Sequence, residues 1–167
     1  MTPTQAIDRW RSADDRKLLL QVVQPGLIGL IDGTISTLAP IFATAYLAGS
    51  REALLVGLAA ALGAAISMGM SEALSDDGAL TGRGSSLARG LITGFATFGG
   101  GSMHALPFLI GDVDRALAIA YAVVAVELVA IAWVRRRFLR VSLARSLVQV
   151  TLGGTIVAAV GVIIGSS

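Results

Sequence analysis

The chain has 167 residues, 54% of them hydrophobic, with 20 glycines and only 14% charged side chains, where a water-soluble domain carries roughly 25%. A mean hydropathy of +0.77 leaves too few polar groups to cover a soluble surface, which excludes a soluble enzyme domain, a disordered tail and a disulfide scaffold. What remains is a membrane protein. A net charge of +2 and a pI near 9.7 do not point to nucleic acid, because the charges sit in short clusters between apolar runs, as juxtamembrane anchors do. The lack of cysteine removes thiolate metal sites, iron–sulfur clusters and thiol catalysis.

Residues 1–24 are charged and hold no apolar signal core, so they read as a cytoplasmic N-terminal tail with no cleavable leader. Within the tail, 7–23 mixes Ile7, Trp10 and the Leu18–Leu20 run with charges. It is either an interfacial helix on the inner leaflet or a cytoplasmic extension of the first span. Pro25-Gly26 predicts a boundary or bend before the membrane. Residues 25–167 then form one five-helix membrane domain. Its spans lie at 26–48, 53–74, 90–110, 116–134 and 146–165, each near the about 20 apolar residues that a crossing helix needs. Short connectors make neighbouring spans antiparallel, and the fold class is all-α integral membrane. Eleven Lys and Arg residues fall in the tail, the connector 75–89 and the connector between spans 4 and 5, against Arg51 and Arg115 on the other side. That asymmetry puts the N-terminus in the cytoplasm and the C-terminus outside.

Small residues recur every four positions: Gly29 and Gly33 on span 1; Gly57, Ala61, Ala65 and Gly69 on span 2; Gly90 and Gly94 on span 3; Gly161 and Gly165 on span 5. Such spacing lets helix backbones approach closely, either within one protomer or across a dimer interface.

Ionisable groups within spans are costly and mark candidate function. Three carboxylates qualify: Asp32, Glu72 and Glu127. With a rise of about 1.5 Å per residue, Asp32 and Met68 lie roughly 9 Å from the inner edge, Glu72 about 3 Å, Glu127 roughly 10 Å and Gln149 about 5 Å. Met68, Glu72 and Asp76 share one face of span 2, and Asp76 with Asp77 continues an acidic strip into the connector. The strip suits a cation path, although Asp76 and Asp77 also read as solvated loop acids. Glu72 could instead pair with an arginine, and Glu127 could be neutralised by Arg145 or carry a proton. His104, the one histidine, falls about 9 Å from the outer edge. It is either a metal or proton station near the exit or a hydrogen-bonded packing residue. Other motifs fail: Ser75-Asp76-Asp77-Gly78 lacks the first ligand of a calcium loop, Ser102 and His104 are too close for a catalytic dyad, and Gly99-Gly100-Gly101 has no phosphate-loop lysine. No enzyme activity is expected.

Gly29-Leu30-Ile31-Asp32-Gly33, with Ser36 a turn later, resembles the first-helix signature of the vacuolar iron transporter family. Ala65-Ile66-Ser67-Met68-Gly69 followed by Glu72 resembles its second-helix signature. More narrowly, the chain resembles the membrane part of the membrane-bound ferritins over residues 22–166. The shared segments are VQPGLIGLIDGTISTLAPIFA at 23–43, ISMGMSEALSDDGALTGRGS at 66–85, HALPFLI at 104–110, VELVAIAW at 126–133 and QVTLGG at 149–154. The resemblance implies a homodimer in the cell inner membrane, with first helices at the two-fold axis. It implies export of iron(II) from the cytosol with protons as counter-ion and no resident cofactor. Asp32 and Met68 would then be pathway ligands and Glu72 the acid at the cytoplasmic entrance. Ser36, Asp76, Asp77, His104, Glu127 and Gln149 are accessory candidates. Two departures stand out. The connector 75–89 cannot hold the metal-binding domain of the vacuolar relatives, and 24 residues stand where the ferritin-like domain would precede span 1. A separate ferritin-like iron donor is therefore a candidate partner. Manganese(II) export, or a non-transporting membrane anchor for such a partner, are the competing readings.

Overall fold

The computed structural model describes residues 13–79 and 81–167, and among these every regular element is helical. Five helices follow one another: α1 (Ala13–Ala48), α2 (Ser50–Ser75), α3 (Ser86–Met103), α4 (Val113–Leu139) and α5 (Leu143–Gly165). Four of them, α1, α2, α4 and α5, are long and apolar enough to cross a membrane, as a multi-pass membrane protein requires. The surface agrees: Phe95, Leu109, Val126, Val148 and Ile163 are exposed, whereas Arg89, Thr93, Thr97, His104 and Glu127 are buried. Water would reject that inside-out distribution, and lipid accepts it.

α1 decides between two alternatives and corrects one expectation. The helix runs without interruption from Ala13 through Pro25, so 13–23 extends the first span and no boundary falls at Pro25-Gly26. Ile7 and Trp10 lie outside the described residues. A proline ring strikes the carbonyl four residues earlier. The wide turn Leu19–Val23, where the Gln24 N–H reaches back to the Leu19 carbonyl, loosens the helix just ahead of Pro25. The real break comes later. α1 divides into Gln24–Ser36 and Leu38–Ala48 at Thr37, because Pro40 has no N–H for the Ser36 carbonyl and its ring crowds that oxygen. The Thr37 hydroxyl donates to the Gly33 carbonyl at 2.8 Å and so occupies an acceptor at the break.

α3 ends the same way. The sequence suggests apolar helix over 90–110, but the α-helix stops at Met103, four residues before Pro107, and a tighter 3-10 turn follows at Leu106–Leu109. α3 lies between the first half of α1 and α2, and side chains satisfy its internal polar groups. Ser85 caps its N-terminus by accepting from the Ala88 N–H at 3.3 Å. Thr93 donates to the Pro25 carbonyl at 3.2 Å, and Thr97 to the Thr93 carbonyl at 2.8 Å. The apolar core gathers round the second half of α1, where Leu38, Ile41 and Phe42 are fully enclosed with Phe108 and Ile131.

The four-residue stripes of small side chains find their partners inside the protomer. Gly29 and Gly33 lie against the backbone at Thr93 and Thr97, Gly69 against Gly90, Gly94 against Ala65, Gly57 against Ile41, and Gly161 and Gly165 against Ala39 and Ala43. Gly33 is the tightest case, since a Cβ there would overlap the Thr97 carbonyl. Gly33→Ala should therefore force α1 and α3 apart and cost about 1–3 kcal/mol. Gly63→Ala, at a position with open space around it, should leave stability unchanged or raise it, because alanine is the better helix former. Melting curves of the two variants in one detergent check this, and equal melting temperatures would contradict the packing.

Candidate functional site: two polar centres and an outward carboxylate

The first centre forms where the α2–α3 connector folds back on both helices. Glu72 Oε1 accepts from Arg83 Nη2 and from Arg89 Nε, each at 2.7 Å. Asp76 meets Arg83 Nη1 at 3.0 Å and Arg89 Nη2 at 3.3 Å. Arg89 is fully buried, and Nη1 donates to the Arg83 and Gly84 carbonyls while Nη2 donates to the Asp76 carbonyl. A buried guanidinium is stable only with its charge matched and its planar fork of donors occupied; two carboxylates and three carbonyls do both. Glu72 and Asp76 are thus drawn together as expected, but as partners of two arginines and not as open cation ligands. Asp77 stays exposed and accepts the Ala79 N–H at 2.9 Å, closing a turn.

The second centre lies at the break in α1. His104, the residue after the last helical position of α3, is fully buried. Its Nε2 meets the Thr37 hydroxyl at 2.8 Å and its Nδ1 meets Glu127 Oε2 at 2.9 Å. Both ring nitrogens are engaged, as the hydrogen-bonded alternative for His104 expects. Glu127 is buried too, and its other oxygen, Oε1, has no partner among the described residues. Its partner is His104 and not Arg145, which is exposed. The contact also corrects the depth expected for Glu127. Spans cut by hydropathy put it in the inner half and His104 near the outer edge, yet the two touch. Since α4 continues to Leu139, Glu127 sits near the middle of its helix.

The remaining candidates lie apart. Asp32 is half-buried on the first half of α1, and Ser36, one turn on, is exposed. Met68 is half-buried on α2, which also touches that half of α1. Neither Asp32 nor Met68 makes a hydrogen bond or ion pair among the described residues. Gln149 is exposed and accepts from Arg135 Nη2 at 2.9 Å. Among the described residues, no three His, Asp or Glu side chains are grouped as a metal site. A cation on Asp32 would therefore need ligands beyond a cluster of described carboxylates and imidazole.

Two residues of these centres escape a reading of composition and spacing: Thr37 and the buried Arg89. Pro40 and Pro107 are the signals for the first, since each lies four residues beyond a helix end that positions Thr37 or His104. Arg89 looks like an ordinary juxtamembrane anchor, and only the fold of the connector shows otherwise. The molecule belongs to the broad class of multi-pass helical membrane proteins with buried ionisable groups. No protein-family model, curated protein or solved structure matches the chain.

The connector cluster predicts a pH dependence. Partial burial alone would raise the Asp76 carboxyl. The Gly78 N–H, Arg83, Arg89 and the Thr81 hydroxyl outweigh it and hold the group below its ordinary value of 3.8. A carboxyl lowered on folding contributes stability that is complete above its unfolded value and disappears as pH falls through the folded one. Thermal stability should decline as pH is taken from about 5 to about 3, and Asp76→Asn should flatten that decline. An unchanged slope in the variant would contradict the ion pairing.

Proposed function

We propose that the chain is a divalent-metal transporter that exports iron(II) from the cytosol in exchange for protons, working as a homodimer of five-span protomers. The observation that carries this reading is the outward stripe of α1. Ile28, Asp32 and Ser36 follow at four-residue intervals on one face, with Ser36 exposed and Asp32 half-buried and unpaired. A carboxylate and a hydroxyl cannot face lipid at little cost. A second copy meeting the first along this stripe would cover them and place two Asp32 carboxylates near the axis, enough to balance a dication. The likeness of 23–43 and 66–85 to the iron-transporting families points the same way, and it supplies Met68 and Glu72 as further pathway residues.

The fifth crossing in this reading is α3 with its 3-10 turn. Its 18 residues make a rod about 27 Å long, close to the about 30 Å hydrocarbon thickness. The charge asymmetry orients the protein with the connector cluster on the cytoplasmic side. There the Glu72 carboxylate is held by Arg83 and the buried Arg89, so capture of a cation by Glu72 requires Arg83, the partly exposed partner, to swing away. Two thioethers from paired Met68 residues would add soft ligands that favour iron over magnesium or calcium.

A flux assay on purified protein in liposomes tests the assignment. Asp32→Asn should nearly abolish flux of every metal, because the counter-charge is lost. Met68→Leu should keep flux but erode discrimination against harder ions. Glu72→Gln should weaken capture at low metal more than the maximal rate. Size-exclusion profiles establish that each variant is folded. A folded Asp32→Asn protein that transports like its parent would refute the pathway, and flux of manganese in preference to iron would reassign the cargo.

A further inference from the structure

We infer that His104 and Glu127 together form a proton-binding site at the break in α1, holding one proton shared between Nδ1 and Oε2, and that this site supplies the proton exchanged during transport. The second clause rests on the transport reading; the first does not.

The hydrogen-bond directions fix the proton count. Thr37 donates its hydroxyl hydrogen to the Gly33 carbonyl at 2.8 Å, so its oxygen must accept from His104, and Nε2 carries hydrogen. One proton then lies between Nδ1 and Oε2, which are 2.9 Å apart. With none, two lone pairs would face each other; with two, a buried positive charge would have no counter-ion. The pair is neutral overall, either as imidazole with carboxylic acid or as imidazolium with carboxylate. Unpartnered Oε1 favours the first, because a carbonyl oxygen tolerates isolation better than a carboxylate oxygen.

No other charge explains the pair. The ionisable groups on the surrounding elements are Asp14, Asp15, Arg16, Lys17, Asp32 and Tyr46 on α1; Arg51, Glu52 and Glu72 on α2; Arg89 on α3; Asp114, Arg115, Tyr121, Arg135, Arg136 and Arg137 on α4; and Arg145 on α5. None of them is hydrogen-bonded or ion-paired to His104 or Glu127 among the described residues. Arg89 and Glu72 are committed to the connector cluster, and Tyr46 and Tyr121 face each other at 3.5 Å. The site is placed to respond to motion. Thr37 is the joint between the halves of α1, and any rotation there withdraws the acceptor from Nε2. The buried, unpartnered hydroxyls of Thr34 and Ser102, each within one helical turn along the chain of Thr37 or His104, could relay hydrogen bonds from the site.

Because His104 is the one histidine, nitrogen-15 histidine labelling of the protein in lipid nanodiscs reads the site directly. The expected spectrum shows a protonated Nε2 and a strongly hydrogen-bonded Nδ1. A neutral ring protonated only at Nδ1, or an Nδ1 without a hydrogen bond, would overturn the shared proton. Glu127→Gln can still donate to Nδ1, so it should fold, and in liposomes it should move fewer protons per iron than the parent. Thr37→Val, which removes the acceptor from Nε2, should shift the histidine spectrum while Glu127 remains. Proton counterflow in Glu127→Gln equal to that of the parent would overturn the coupling role. Absence of metal flux in the parent would refute the transport reading and with it the coupling role, while the labelled spectrum would still decide whether the shared proton exists.

Discussion

Inside hydrocarbon a freed backbone carbonyl has no water to accept, so each broken helical turn must be repaired by the protein itself. This constraint organises the structure. Pro40 and Pro107 interrupt α1 and α3, and the residues placed at the two interruptions, Thr37 and His104, bond to each other at 2.8 Å. Thr37 also occupies the Gly33 carbonyl, and Glu127 reaches in from α4 to complete the imidazole. Three helices are joined by a chain of hydrogen bonds that has no solvent alternative.

The same constraint explains how a helix that carries an arginine and two threonines can lie between two others. α3 carries Arg89, Thr93 and Thr97 on its buried side, and it fits between α1 and α2 because glycine and alanine line the contacts on all three helices. Lipid-facing positions are left to leucine, isoleucine, valine and phenylalanine. Where the connector returns at the end of α2, two arginines and two carboxylates neutralise one another, and the full burial of Arg89 makes that cluster part of the packing. The polar stripe of Asp32 and Ser36 is different. It has no partner among the described residues, and it gives the proposed dimer and metal path their location.

Much of this was legible in the residues. Long apolar runs marked α1, α2, α4 and α5, and the glycine spacing anticipated close helix contacts, which the structure places within the protomer. The limits of the helices were less legible, because hydropathy measures apolar content and not hydrogen bonding. α4 passes through Arg135–Arg137 to Leu139, which shifts Glu127 toward mid-helix and against His104. α1 passes through Pro25, where a wide turn absorbs the ring, yet breaks ahead of Pro40, where none does. Equivalent prolines behave differently according to the turn that precedes them. Pairing of Glu72 with arginine was one of the readings that spacing allowed; the depth of Arg89 was not readable at all, since a buried arginine and a headgroup anchor share the same local sequence.

Purified parent protein in liposomes, with an iron-quenched dye on one side of the membrane and a pH dye on the other, tests the central claim most directly. The account predicts that iron(II) crosses only when the protein is present, that protons move the opposite way, and that an imposed pH gradient drives iron against its own gradient. Liposomes that stay impermeable to iron(II) and manganese(II) with folded protein inserted, or iron flux that moves no protons and ignores the pH gradient, would contradict it.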